Sequence, residues 1–137
     1  MSRSILIRLA NWTKIKFRIH TSEKEPVFFR EKEIWWASLG SNIGYEQDGK
    51  NENFERPILI LKKYNKDMLL VVPLTSKEKA KRYYHKFKYK SKKEIKDGNA
   101  ILNQMRTISS KRLLRYIGIV QKSDFLKIKD RIKKEFL

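Results

Sequence analysis

Apolar residues recur at helical spacing near both ends of the chain and at strand spacing between them. Ile5, Leu9, Trp12 and Ile19 form a stripe that Leu6, Ile15 and Phe17 widen, which predicts a helix over 5–19. Ile15, Phe17 and Ile19 also alternate with Lys16, Arg18 and His20 as a strand would; the helix is the preferred reading. Residues 21–26 read as a polar connector, because Pro26 cannot sit inside a helix. The run EIWWASL (33–39), closed by Gly40, reads as a strand. Residues 40–56 carry Gly40, Gly44 and Gly49 and no apolar periodicity, so they form a loop. Its 17 residues exceed the common connection length, and loops of that size are usually functional or disordered. The apolar runs 57–61 and 68–74 flank a polar turn at 62–67 and suggest an antiparallel hairpin. Tyr83, His85, Phe87 and Tyr89 alternate with Tyr84, Lys86, Lys88 and Lys90 in a further strand. Asp97-Gly98 marks a turn before a short strand at 100–102, and residues 116–120 close the β region. Ser123 is a suitable N-cap with Asp124 favourable behind it, and Phe125, Ile128, Ile132 and Phe136 then recur at helical spacing. The predicted order is helix, five to seven short strands, helix: a mainly β protein with flanking helices.

Composition narrows this picture. A chain of 137 residues fits one domain, and 40% hydrophobic residues suffice for a core despite 35% charged ones. The absence of Cys removes disulfide scaffolds, thiolate metal sites and Cys nucleophiles, and two histidines make a His-rich metal centre unexpected. Both histidines sit in ordinary amphipathic patterns, which suits surface or partly buried roles better than a paired ribonuclease mechanism. No apolar run approaches the roughly 18 residues that span a bilayer, and Arg8, Lys14 and Lys16 break any signal-peptide pattern, so a cytoplasmic protein is expected. The balance of 33 Lys+Arg against 15 Asp+Glu, net +18, points to a polyanion.

The candidate chemistry is correspondingly narrow. GSNIG (40–44) lacks the Lys and Ser/Thr of a phosphate loop and the spacing of a dinucleotide fingerprint, and no metal-ligand cluster occurs. The basic segment 77–93 interleaves Lys77, Lys79, Arg82 and Lys86 with Tyr83, Tyr84, Phe87 and Tyr89. Its cations can neutralise phosphates and its rings can stack on unpaired bases. In GYEQDGKNENFERPILIL (44–61), Glu46, Gln47 and Lys50 precede Arg56 at the mouth of an apolar strand, and VVPLTS (71–76) ends the next strand in two hydroxyls. A hairpin of these strands puts Arg56 and Thr75 at one end of the sheet, where a rigid scaffold supports a site.

Four blocks in order make the chain resemble the MazF/PemK family of toxin endoribonucleases over residues 33–137. They are EIWWASLG (33–40), GYEQ with RPILIL (44–47 and 56–61), VVPLTS (71–76) and ILNQMRTISSKRL (101–113). The resemblance implies a small SH3-like β-barrel with a C-terminal helix, normally a homodimer. It implies metal- and cofactor-independent cleavage of single-stranded RNA, and an acidic antitoxin as partner. Arg56 and Thr75 then occupy the positions of the family's catalytic pair, with Ser76 beside them. Glu46, Gln47 and Gln104 match positions lining the RNA groove; Glu46 is also a candidate base, and Arg106 joins the RNA-facing charges. Two features depart from the family pattern: the eight-residue insert DGKNENFE (48–55), and the first 32 residues, which are expected to form a helical extension bracing the domain at 33–137, since Trp12, Phe28 and Phe29 need burial. Two other readings stay open, an inactive relative that holds RNA or DNA without cutting, and a topoisomerase poison of the same fold.

Overall fold

The computed structural model describes residues 3–77 and 81–137. A helix α1 (Arg3–Thr21) is followed by strands β1 (Glu33–Ser38), β2 (Glu55–Lys63), β3 (Met68–Thr75), β4 (Tyr84–Ser91), β5 (Glu94–Ile101), β6 (Arg106–Ser109) and β7 (Leu113–Val120). Helix α2 (Lys122–Phe136) ends the chain, and single 3-10 turns at Leu102–Gln104 and Ser110–Arg112 flank β6. The strand order β2-β1-β7-β4-β5-β3-β6, with β3 also paired to β2, closes six strands into a barrel and leaves β6 beside β3. Closure removes the edges of the six ring strands, which would otherwise invite pairing with other chains.

Two apolar clusters explain why β2 and β3 read as continuous hydrophobic runs: both of their faces are covered. All six ring strands contribute to the first cluster, through Ile34, Leu59, Val72, Leu74, Phe87, Ala100 and Val120, so it fills the barrel interior. Phe125, Ile128 and Ile132 of α2 cap that interior, as their helical spacing predicts. The second cluster lies outside the barrel, where Trp35, Ala37, Ile58, Ile60, Leu69 and Val71 pack against Phe29, Ile108 and Leu113. Strand β4 shows the simple alternation, with Phe87 inside and Lys86 and Lys88 in solvent.

The structure corrects several expectations in detail. Asp97-Gly98 is not a turn but the middle of β5, where Gly98 faces Phe87 across the ladder. The reversal falls at Lys92-Lys93, with Lys92 in the left-handed region at φ 56. Strand β2 starts at Glu55, and α2 starts one residue before Ser123, with Gln121 in the N-cap position. Trp12 and Phe29 are buried, whereas Phe28 is exposed. Among the described residues no helix is long and apolar enough to cross a membrane.

Candidate active site

The barrel register lines up the candidate residues across its outer surface. The β2–β3 ladder ends at the pair Ile58–Pro73; its register, carried two residues further, sets Arg56 across from Thr75, and the bond from Arg56 Nη1 to the Leu74 carbonyl keeps the two strands together there. Ala37 pairs with Arg56 on one side, Thr75 pairs with Asn99 on the other, and Asn99 pairs with Lys86. Paired residues project to the same face of a sheet, so Arg56, Thr75, Asn99 and Lys86 form one row across β2, β3, β5 and β4. Arg56 and Ala37 share that face with Ile58 of the outer cluster, which places the row outside the barrel.

Arg56 is held on two sides. Its Nε donates to the Asp48 carbonyl at 2.7 Å and its Nη1 to the Leu74 carbonyl at 3.1 Å. Among the described residues its Nη2 has no acceptor, which leaves a donor for a ligand. Burial pushes the guanidinium below its ordinary pKa, opposed by Asp48 and Tyr84; an arginine nevertheless stays charged at neutral pH. The Thr75 hydroxyl accepts the Lys77 N–H at 3.2 Å and keeps its own hydrogen to donate. Asn99 is buried and donates from Nδ2 to the Lys77 carbonyl at 3.1 Å, so both side chains hold the chain leaving β3.

An open cavity of about 620 Å³ adjoins this row, lined by Thr75, Ser76, Lys77, Lys86, Lys88, Asp97, Asn99 and Asp124. A second, of about 280 Å³, is lined by Glu46, Gln47, Pro73, Gln104 and Arg106 among others. Pro73 and Thr75 lie two residues apart on one face of β3, about 7 Å along the strand, so the two cavities neighbour each other. Glu46 is folded into its own turn, its carboxylate accepting the Ile43 N–H at 2.9 Å. Gln104 ties that turn to the barrel by donating to the Tyr45 carbonyl at 3.1 Å. The sequence-predicted residues therefore divide: Thr75, Ser76, Lys77 and Lys86 line the first cavity, with Arg56 in the row beside it, and Glu46, Gln47, Gln104 and Arg106 line the second. Lys50, exposed in an isolated bridge with Glu55, and Arg82, whose guanidinium lies over Tyr83, line neither. Lys79 lies outside the described residues.

Five residues beside the cavities are not singled out by the sequence: Asn99, Asp97, Lys88, Asp124 and Tyr45. Asn99 and Asp97 are hidden by the turn reading of Asp97-Gly98, and Asp124 by its reading as a helix-start residue; Lys88 and Asp97 face each other across the ladder and pair at 2.9 Å. Tyr45 is 98% exposed beside the second cavity, an aromatic face available for stacking. Its signal was present in the GYEQ block, between the two residue types that drew notice.

Residues 30–136 match the family described as PemK-like, MazF-like toxins of type II toxin–antitoxin systems. No curated protein matches the chain.

Proposed function

The chain belongs to the PemK-like, MazF-like toxins of type II toxin–antitoxin systems, and on that premise we propose that it is an endoribonuclease of single-stranded RNA, acting in the cytoplasm and neutralised by an acidic antitoxin. The observation that carries this reading is the row Arg56–Thr75–Asn99–Lys86 beside an open, cation-lined cavity. In the proposed reaction the ribose 2′-oxygen attacks phosphorus, the bond to the 5′-oxygen breaks, that oxygen takes a proton from water, and the products carry a 2′,3′-cyclic phosphate and a 5′-hydroxyl. Arg56 Nη2 and the Thr75 hydroxyl hold the phosphate oxygens as negative charge builds on them, which is where preorganised donors lower a barrier most. Removing the 2′-proton needs a base. Of the two carboxylates that line the cavity among the described residues, Asp97 is tied to Lys88, so Asp124 is our assignment for that part. Ser76 is the neighbouring hydroxyl, and Lys77 and Lys86 draw in the phosphate backbone. Glu46, Gln47, Gln104 and Arg106 hold the adjoining nucleotide, and the active form is a homodimer. Residues 1–32 are read as an extension and 33–137 as the toxin domain.

The test is incubation of the purified protein with a long single-stranded RNA in EDTA. The wild type releases fragments with cyclic phosphate and 5′-hydroxyl ends. Arg56→Ala lowers the single-turnover rate by about 10²–10³, the usual loss for one donor to a developing oxyanion, and Thr75→Ala lowers it in the same direction. Undiminished cleavage by the double variant overturns the site, and 5′-phosphate products overturn the chemistry.

A further inference from the structure

The helix α1 and the insert 48–55, the two features that depart from the family pattern, pack against each other. The Trp12 ring is buried 5.5 Å from the Phe54 ring. Gly40 lies directly against the Trp12 indole with φ +88, a position where an added Cβ would overlap that ring. Arg8 reaches from the same helix, stacking its guanidinium 4.5 Å over Phe54 and donating from Nη2 to the Gly49 carbonyl at 2.5 Å. Gly49 in turn donates its N–H to the Gly40 carbonyl at 2.8 Å, which cinches the loop between the two glycines. The carbonyl just before that of Gly49 belongs to Asp48, and it accepts Arg56 Nε at 2.7 Å. Two arginines thus hold neighbouring carbonyls of one loop, one from the helix and one from the candidate site.

We propose that α1 is a positioning element of the site: Arg8 and Trp12 clamp the loop so that the Asp48 carbonyl orients Arg56 and turns its Nη2 toward the groove. The reason is entropic. Residues 40–54 contain three glycines and no regular strand or helix apart from the Lys50–Glu55 bridge; bonds from Asn42 to Asp48 and Gln47 fold the loop on itself, and a restraint from outside removes freedom that these leave to a glycine-rich segment. The inserted residues lengthen the loop, and α1 supplies the restraint. Arg8 touches neither cavity, so it is a positioning residue that works through Gly49, Asp48 and Arg56 in turn. The catalytic consequence rests on the ribonuclease reading; the clamp itself does not.

The experiment uses the full chain with Arg8→Ala, Arg8→Lys and, as a control for charge lost from the same helix, Arg3→Ala. The first readout is the NMR signal of the Arg56 Nε–H in the free protein. It is protected in the wild type, and in Arg8→Ala its exchange speeds up by about tenfold, the loss of one hydrogen bond. Arg8→Lys restores part of that protection and Arg3→Ala leaves it unchanged. The second readout separates rate from binding, with an uncleavable 2′-deoxy strand reporting affinity. Arg8→Ala lowers the single-turnover rate with Kd within about twofold of wild type, as expected of a residue that makes no phosphate contact. Unaltered Arg56 exchange in Arg8→Ala overturns the proposal, as does weaker binding at an unchanged rate, the mark of a direct RNA contact. A wild type that does not cleave refutes the ribonuclease reading, and the Arg56 signal still decides the clamp. Trp12→Phe, which keeps an aromatic in the buried site, shifts the same signal in the same direction.

Discussion

Arg56 is buried enough to lose part of its hydration and bonded enough to be fixed, yet it keeps a donor free; a stabiliser of transient negative charge needs that combination. Tyr45 is the opposite case, an aromatic almost wholly in water with its backbone pinned by Gln104. A ring held out in solvent contributes nothing to the core and is open to stacking on an unpaired base in the proposed function. Tyr45→Ala therefore weakens binding of single-stranded RNA by about 1–3 kcal/mol, read by fluorescence anisotropy, and leaves the melting temperature unchanged. His85 gives a residue-scale pH dependence. Burial lowers its pKa first, Arg131 and Lys127 add to that, and Asp124 and Glu135 oppose it. Arg131 lies against the ring, 3.4 Å from Nδ1. Below about pH 6.5, the ordinary value, the unfolded chain takes up this proton before the folded one does, so stability falls as pH falls. Thermal melts from pH 7.5 downward show that decline beginning near pH 6.5, and His85→Gln flattens it; a wild type that gains stability on acidification contradicts the assignment.

At the scale of elements, the β4–β5 hairpin shows what strand pairing demands of a sequence. Gly98 sits mid-strand because its partner Phe87 projects into the barrel, where a Cβ on residue 98 would press into the ring. Gly98→Ala accordingly destabilises the fold by about 1–3 kcal/mol through overpacking, measured as a lower urea midpoint at unchanged m. The same contact explains why the sequence misleads here: Asp-Gly is the strongest short turn signal, and nothing local distinguishes a glycine needed for φ from one needed for space. The true turn at Lys92 adopts φ 56 without a glycine and carries no such mark. Helices α1 and α2 were legible because their apolar periods run long enough to dominate, and the 57–74 hairpin because two continuous apolar runs flank a polar turn. Strand β6, only four residues, was too short for any period to appear. The nearness of Arg56 and Thr75 was legible, since a hairpin register follows from turn length; that they form the site is the proposal. Its extension to Asn99 was not, because it depends on β3 meeting β5, a pairing between strands that are not neighbours in sequence.

At the scale of the molecule, the charge of +18 poses a question of distribution. Five salt bridges join the described residues, so most cations have no carboxylate partner and repel one another. If all of them drew RNA, binding would be a diffuse wrapping; if only the groove does, the remainder serves another purpose. The row and its two cavities present Arg56, Lys77, Lys86 and Arg106, while Lys88 is already neutralised by Asp97. Each phosphate neutralised on a single strand contributes about −0.7 to the slope of log K against log salt, so four contacts give about −3. Anisotropy with a short 2′-deoxy strand between about 50 and 200 mM salt measures this slope directly. Arg56→Ala should flatten it by about one contact's share. A slope near −3 confines the RNA to the groove and leaves the lysines of α1, the 3-10 turn at Ser110–Arg112 and α2 for a second polyanion, such as the proposed acidic antitoxin. A slope well beyond −5 means the RNA reaches those lysines too. Antitoxin and substrate would then compete across the whole cationic surface, and neutralisation would need no contact with Arg56 at all.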